Sequence, residues 1–282
     1  VASDPLNQAA ERASLCLFLR GDLEPAPHAV AIAATKDQLL KTPTTSRDKT
    51  PAWNALAWLT RVGWTLAEEQ PPSVSGQAVL PIVGGRFDPF ASDAGQRVVD
   101  GLRKLGWLSI ENRTDLGANR LVSENGQLTI DAPTNTFVLD TARTAGGFAP
   151  AGARIETQSA LIEIQDTEAT VWISSLDGQP IASSKRLLIT HLTDLQNTGA
   201  RYADRARKVL LSWGGLPHLV QNGRATVTLR VTNASGAQVY GLATSGKRTG
   251  EINPTREANQ LVIPLSVSDN GKARMLYEVV LP

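Results

Sequence analysis

Residues 168–192 read EATVWISSLDGQPIASSKRLLITHL, and this stretch decides the fold class. Its two flanks, Val171-Trp172-Ile173 and Leu187-Leu188-Ile189, are apolar enough to form central strands of a sheet. Asp177-Gly178 between them is the strongest hairpin signal in the sequence, because Asp-Gly suits the backbone angles of a tight turn. The stretch therefore predicts two antiparallel strands.

After Trp107, apolar and polar residues alternate over the rest of the chain, between turn residues that recur every ~8–12 positions. This pattern is typical of β-strands. We predict strands over residues 126–130, 136–140, 158–164, 168–174, 186–192, 224–232, 238–242, 260–267 and 275–281. The polar stretch 197–208 is interpreted as a long loop or one helical turn. Together these elements predict an antiparallel β-sandwich over residues 111–282.

Residues 1–110 have a mixed pattern that predicts a small α/β part. Helices are predicted from Asp4-Pro5 to Arg20, over 51–61 and over 93–105, and strands over 28–33 and 77–83. Pro81 favours an edge position or an irregular end for the second strand, and the polar stretch 41–49 is predicted to be a surface loop. The first helix is apolar nearly all round in its C-terminal half and so calls for burial on more than one side. The predicted fold class is thus α+β and multidomain.

Composition excludes several classes of function. With 28 Lys and Arg against 27 Asp and Glu, the formal net charge of +1 argues against a nucleic-acid partner. The single Cys16 cannot form an internal disulfide, and the apolar run 15–19 is far too short to cross a membrane. His28, His191 and His218 lack a second His or Cys at metal-ligand spacing, so we expect no metal and no cofactor.

Catalytic residues cannot be assigned from spacing. Asp88, Asp140 and Glu163 lie in apolar surroundings, and glycoside hydrolysis would need two such carboxylates to face each other across a sugar. Each also has a plain structural interpretation, as a turn residue, a strand-end cap and an outward strand residue. The pairs Gly84-Gly85, Gly146-Gly147 and Gly214-Gly215 lack the residues of a phosphate loop and are interpreted as turns.

Six of the aromatic residues are tryptophans, which are more often core residues but can stack on sugar rings when exposed. Trp213, in Ser212-Trp213-Gly214-Gly215, is the least core-like of them. We predict Trp213 and Arg143 as substrate-binding residues, because they offer a planar aromatic face and a forked donor for hydroxyls or a uronate.

Seven segments of the chain are similar to a known family: Ser3–Ala10, Leu17–Asp22, Ser123–Leu128, Phe137–Thr144, Ser174–Ile181, Asn197–Gly199 and Trp213-Gly214. In these segments the chain resembles the C-terminal region of large bacterial glycoside-hydrolase-like proteins. Thr141-Ala142-Arg143 departs from the Thr-Pro-Arg expected there. The resemblance implies the layout related to bacterial β-galactosidases: a catalytic barrel, whose end the first helix resembles, then an α/β domain and a terminal β-sandwich.

By this resemblance, the chain is the non-catalytic accessory region of a polysaccharide-degrading enzyme. It would support a barrel in the same or a companion chain, contact polysaccharide, help to form a homo-oligomer, and be periplasmic or secreted. The opening Val1-Ala2-Ser3-Asp4-Pro5 suggests a processed chain or a part excised from a longer one. A self-standing carbohydrate-binding module and a complete small glycosidase using two of Asp88, Asp140 and Glu163 remain alternatives.

Overall fold

The computed structural model describes residues 5–37, 53–66, 79–82 and 93–282. The chain forms two compact units, one made of residues 1–23 and 136–282, the other of residues 24–135. We call them the discontinuous unit and the inserted unit. The predicted boundary lay near residue 110, with the first helix in the N-terminal part. The structure instead groups this helix, α1 (Pro5–Phe18), with the β-rich C-terminal residues, because its apolar side chains pack on a sheet there.

The inserted unit contains a parallel sheet. Its elements are β1 (Ala29–Ala34), α2 (Trp53–Leu56), β2 (Arg61–Leu66), β3 (Val79–Ile82), α3 (Ala94–Lys104), β4 (Arg120–Val122) and β5 (Leu128–Asp131). Among the described strands the order is β2-β1-β3, which places the proline-containing strand at the edge, one of the two positions expected for it, because proline cannot donate to a second neighbour. β4 and β5 form an antiparallel hairpin.

Two of the three helices predicted for the N-terminal residues have nearly the expected bounds, and the other is shorter. The helix predicted over 51–61 ends at Leu56, and residues 61–66 form β2, which pairs in parallel with β1. In α3 the buried residues Val98, Val99 and Leu102 recur at helical spacing and join Leu56 and Leu59 in one apolar core. The loop predicted over 41–49 lies outside the described residues.

The discontinuous unit is built from antiparallel sheets. Its first strands are β6 (Thr136–Asp140), β7 (Thr144–Ala149), β8 (Arg154–Glu156), β9 (Ala160–Ile164), β10 (Ala169–Ser175), β11 (Arg186–Leu192), β12 (Leu195–Thr198), β13 (Arg201–Tyr202), β14 (Leu210–Ser212) and β15 (Gly215–Val220). They are followed by β16 (Arg224–Arg230), β17 (Gln238–Leu242), β18 (Arg248–Ile252), β19 (Thr255–Glu257), β20 (Gln260–Ser266), β21 (Ser268–Asp269), β22 (Lys272–Ala273) and β23 (Leu276–Val280). The first sheet runs β18-β17-β23-β11-β10-β7-β6 and the second β19-β20-β16-β9-β8.

The two sheets share one apolar core, the arrangement of a β-sandwich. Val171 and Ile189 of the first sheet and Ile162 and Val227 of the second are fully buried and belong to one cluster. Since side chains of a strand alternate between its faces, every second residue of these strands enters this core. Each strand predicted for this part of the chain overlaps an observed strand, and the mostly β, antiparallel character is confirmed. The loop or helical turn predicted over 197–208 is wrong in part, because this stretch includes the end of β12 and all of β13.

The stretch 168–192 forms β10 and β11, which pair antiparallel with Ser174 opposite Leu188. The connection is longer than a two-residue hairpin loop and includes a 3₁₀ turn at Ile181–Ser183. Gly178 has a φ of 76°, and Asp177 accepts hydrogen bonds from the hydroxyls of Ser175 and Ser184 and from two backbone N–H groups. The Asp-Gly pair therefore organises this turn, as the sequence indicates.

Gly146 and Gly147 do not form a turn, contrary to the sequence interpretation, because they lie inside β7. Their φ values are 141° and 154°, and a Cβ atom on Gly147 would lie 1.8 Å from the carbonyl oxygen of Phe137. Only glycine allows this close approach of neighbouring strands.

Helix α1 packs on the outer face of the first sheet, away from the sandwich core. Ala9, with Leu6 and Ala10 beside it, joins a second apolar cluster with Leu192 and Leu276. Leu15, Phe18 and Leu19 near the end of α1 are exposed, by 74% for Phe18. Among the described helices, none is long and apolar enough to cross a lipid bilayer.

Candidate functional site

A groove of about 600 Å³ lies on the outer face of the first sheet, beside the N-terminal half of α1. Phe148, Thr170 and Trp172 line it from the sheet, and Leu6 and Ala10 line it from the helix. Further lining residues, mostly polar, are Glu168, Ala169, Leu192, Thr193, Asp194, Arg205, Ala206, Arg207 and Gln221. All of them belong to the discontinuous unit.

Trp172 reaches the groove because its neighbours Val171 and Ile173 point into the core, which directs it to the opposite face. Directly across from it on β7 is Gly146, which has no side chain to cover the indole. Phe137 contacts the indole edge-on, at 6.1 Å between ring centroids. The groove therefore has an aromatic surface, and the alternation of residues 171–173 was the sequence signal that could have identified it.

Charged and amide side chains line the rest of the groove. Arg207 Nη1 donates to Asp194 Oδ2 at 2.5 Å, and the same guanidinium lies 5.6 Å from the ring of Tyr202. Glu168 and Arg205 are exposed, and neither makes a hydrogen bond or ion pair with any described residue. These two side chains are therefore available to a ligand.

Arg205 and Arg207 belong to an arm that we define as residues 195–220. Its strands pair as β12-β15 and β13-β14. Trp213 lies on this arm with 66% of its surface exposed, while its carbonyl oxygen accepts a hydrogen bond from Asn197 Nδ2 at 2.9 Å. The next residue, Gly214, approaches Thr198 so closely that a Cβ would lie 2.2 Å from the carbonyl oxygen there. The arm thus holds the backbone of Trp213 in place and leaves its ring accessible.

Arg143, the other predicted binding residue, does not line the groove. Its Nε lies 3.0 Å from Asp22 Oδ1, and its Nη2 donates to the carbonyl oxygen of Gly21 at 3.0 Å. Arg20 also donates twice to Asp22 and once to the carbonyl oxygen of Ser175. Arg143 therefore connects the segment after α1 to the first sheet. The Nε and Nη2 donors of its guanidinium are already used in these contacts.

Two candidate catalytic carboxylates are described, and they lie in different sheets. Asp140 in β6 accepts a hydrogen bond from the backbone of Gln158 at 2.9 Å, and burial raises the pKa of its carboxyl group. Glu163 in β9 is exposed on the outer face of the second sheet, because Ile162 and Ile164 beside it enter the core. Both have the structural roles expected of a cap and an outward strand residue. Asp88 lies outside the described residues.

The histidines have separate environments. His191 is fully buried with no hydrogen bond to either ring nitrogen, and burial lowers its pKa to about 4. His28 stacks on Trp107 at 4.1 Å and pairs with Glu124, and His218 contacts Asn197. In the described part of the chain, no cluster of three or more His, Cys, Asp or Glu side chains could hold a metal ion.

Comparison with protein-family models, with curated proteins and with solved structures finds no match to the chain. The groove and the arm are therefore the features of the chain from which a function can be inferred.

Proposed function

We propose that the chain is a non-catalytic accessory region of a polysaccharide-degrading glycoside hydrolase, which binds glycan in the groove and supports a catalytic barrel in the same or a companion chain. The observation that carries the glycan-binding part is the aromatic surface of Trp172 and Phe148 beside the unpaired Glu168 and Arg205. A sugar ring has an apolar face that stacks on an indole and hydroxyls that bond to charged groups at its edge.

The accessory role rests on the resemblance described above, which assigns catalysis to a barrel. It agrees with the separation of Asp140 and Glu163 into different sheets. We further propose that the inserted unit, residues 24–135, is a small α/β domain, and that the enzyme acts in the periplasm or outside the cell, where polysaccharide is met.

A second candidate, a self-standing carbohydrate-binding module, is favoured by Trp213. Its ring is exposed on a backbone held by hydrogen bonds, and such rigid aromatic side chains often dominate binding.

Affinity electrophoresis in gels containing neutral or acidic polysaccharides tests glycan binding. We expect at least one polysaccharide to retard the protein, and Glu168→Gln and Arg205→Gln to weaken the retardation at least ~5-fold, because each removes a free charge from the groove. Glu163→Gln and Arg154→Gln, exposed residues of the second sheet, are the matched controls.

The proposal is wrong if no polysaccharide retards the protein, or if the controls weaken retardation as much as the groove variants. Trp213→Ala separates the two candidates: loss of retardation in this variant, with Glu168→Gln and Arg205→Gln unaffected, assigns binding to the Trp213 ring and favours the module. Release of reducing ends by the chain itself would contradict the non-catalytic role.

A further inference from the structure

Two arginines of the first sheet share one buried carboxylate. Glu278 in β23 has a side chain that is 4% exposed, and each of its oxygens has its own guanidinium partner. Arg186 Nε in β11 donates to Oε1 at 2.5 Å, and Arg248 Nε in β18 donates to Oε2 at 2.6 Å. The three groups therefore form a cluster with two positive charges and one negative charge, which we call the Arg186–Glu278–Arg248 triad.

The triad keeps unused hydrogen-bond donors at the surface. The side chains of Arg186 and Arg248 are 61% and 48% exposed. Both arginines use only Nε, and their Nη atoms make no hydrogen bond to any described residue. Glu251, opposite Tyr240 in the neighbouring strand, is an exposed carboxylate that makes no ion pair with either of them.

The guanidinium of Arg248 also lies over an aromatic ring. It lies 3.9 Å from the centroid of the Tyr240 ring, a distance at which the ring attracts the cation. With Nε fixed by Glu278 and one face on Tyr240, the guanidinium has little freedom, and its Nη edge stays exposed. Donors held in this way lose little conformational entropy when a ligand binds.

Two other arginine–carboxylate clusters of this unit differ from the triad, one in its hydrogen-bond donors and the other in its charge. Asp22 also has two arginine partners, but there one Nη atom of each arginine donates to a backbone carbonyl oxygen, that of Ser175 or Gly21. Arg224 pairs one-to-one with Asp166 through Nε and Nη2 and carries no excess charge. The Arg186–Glu278–Arg248 triad combines an unbalanced positive charge with free donors.

We propose that Arg186 and Arg248 bind an oxyanion, a carboxylate, sulfate or phosphate group, with Glu278 positioning the two guanidiniums. The free Nη atoms match the paired oxygens of such a group, since a guanidinium binds oxyanions through two parallel N–H donors. The bound anion balances the second positive charge. This site is separate from the groove, whose lining contains none of the three residues, so it stands without the proposed glycan function.

Titration of sodium sulfate into the protein at constant ionic strength, followed by isothermal calorimetry, tests the site. We expect saturable binding of one sulfate that becomes at least ~10-fold weaker in Arg186→Gln and in Arg248→Gln, because each removes one of the two forks. Arg224→Gln is the matched control and should bind sulfate like the unchanged protein. Arg248→Lys keeps the ion pair with Glu278 but removes the fork, so it should also bind at least ~10-fold more weakly and serves if a glutamine variant fails to fold.

Methyl glucuronide, methyl glucoside and inorganic phosphate distinguish the sources of the oxyanion. Binding of the glucuronide but not the glucoside supports a sugar acid as ligand, and binding of phosphate alone supports a free ion. Absence of saturable binding of sulfate, phosphate and glucuronide overturns the proposal, as does equal weakening by Arg224→Gln.

Discussion

The phenol of Tyr277 bonds twice to the backbone of Ser266, donating to its carbonyl oxygen at 2.7 Å and accepting from its N–H at 2.8 Å. Tyr277 belongs to β23 in the first sheet and Ser266 ends β20 in the second, so one side chain joins the two sheets. Tyr277 is fully buried, and burial raises the pKa of its hydroxyl group.

Replacement of this tyrosine by phenylalanine should destabilise the discontinuous unit. Tyr277→Phe keeps the buried ring but leaves two backbone groups of Ser266 without a partner, which we expect to lower the free energy of unfolding by about 1–3 kcal/mol. Urea denaturation followed by circular dichroism measures this change. Tyr202→Phe, on the arm, is the control; an equal loss in both variants would contradict the role of the cross-sheet bonds.

Asp22 should be a stability residue and not a binding residue. Burial disfavours its charge, but hydrogen bonds from Arg20 and Thr144 outweigh this and lower its pKa. Asp22→Ala leaves the guanidiniums of Arg20 and Arg143 without their carboxylate, and we expect a loss of about 2 kcal/mol, below the ~3–5 kcal/mol of a fully buried pair because both arginines are partly exposed. The urea midpoint measures this, and Asp166→Asn, in an exposed pair, should leave it unchanged.

Gly147 should tolerate no side chain. A Cβ there meets the backbone of Phe137, which cannot move without breaking the pairing of β6 and β7. We expect Gly147→Ala to cost at least ~3 kcal/mol or to prevent folding, through strain and overpacking. Gly250→Ala, in β18 of the same sheet, is the control, since nothing lies within 4 Å of its added Cβ and its φ is not in the left-handed region. Soluble yield and thermal midpoint report the difference, and similar behaviour of the two variants would show that β7 relaxes.

His191 should make the protein less stable at mildly acidic pH. Burial lowers its pKa from 6.5 to about 4, so the unfolded chain binds its proton at a higher pH than the folded protein does. Stability is therefore full above about pH 6.5 and falls by about 3 kcal/mol as the pH drops to 4. Urea unfolding between about pH 7 and pH 4.5 measures this slope.

His191→Leu, which cannot titrate, should abolish most of that slope. The carboxylates with lowered pKa values, Asp22, Asp166, Asp177 and Glu278, lose their contributions only below their ordinary pKa values of 3.8 to 4.5, so they do not account for the change at higher pH. An unchanged slope in His191→Leu would assign it to other groups.

Strand positions could be predicted because the sandwich needs strict alternation. The bounds of β6, β11 and β17 match the sequence prediction, since each combines inward apolar residues with a clear turn at both ends. β2 was missed because Trp64 follows a helical spacing with Leu56 and Thr60 that overlaps the strand pattern. Its assignment depends on pairing with β1, a contact between distant residues.

The candidate site was less predictable from the sequence, because it too depends on contacts between distant residues. The outward position of Trp172 is encoded by its two neighbours, but Arg205 reaches the groove only because the arm folds back through the pairing of β12 with β15. The occupied fork of Arg143 depends on Asp22, which precedes it by more than a hundred residues. Such partners leave no local signal in the sequence.

The position of α1 has a consequence for synthesis of the protein. The helix leaves the ribosome long before its partner Leu276, which lies far along the chain. At ~5–20 residues per second, the apolar side of the nascent helix stays exposed for on the order of tens of seconds before its sheet exists. The discontinuous unit therefore cannot complete its fold until β23 has been made, and until then the nascent helix is a natural client for chaperones that shield apolar segments.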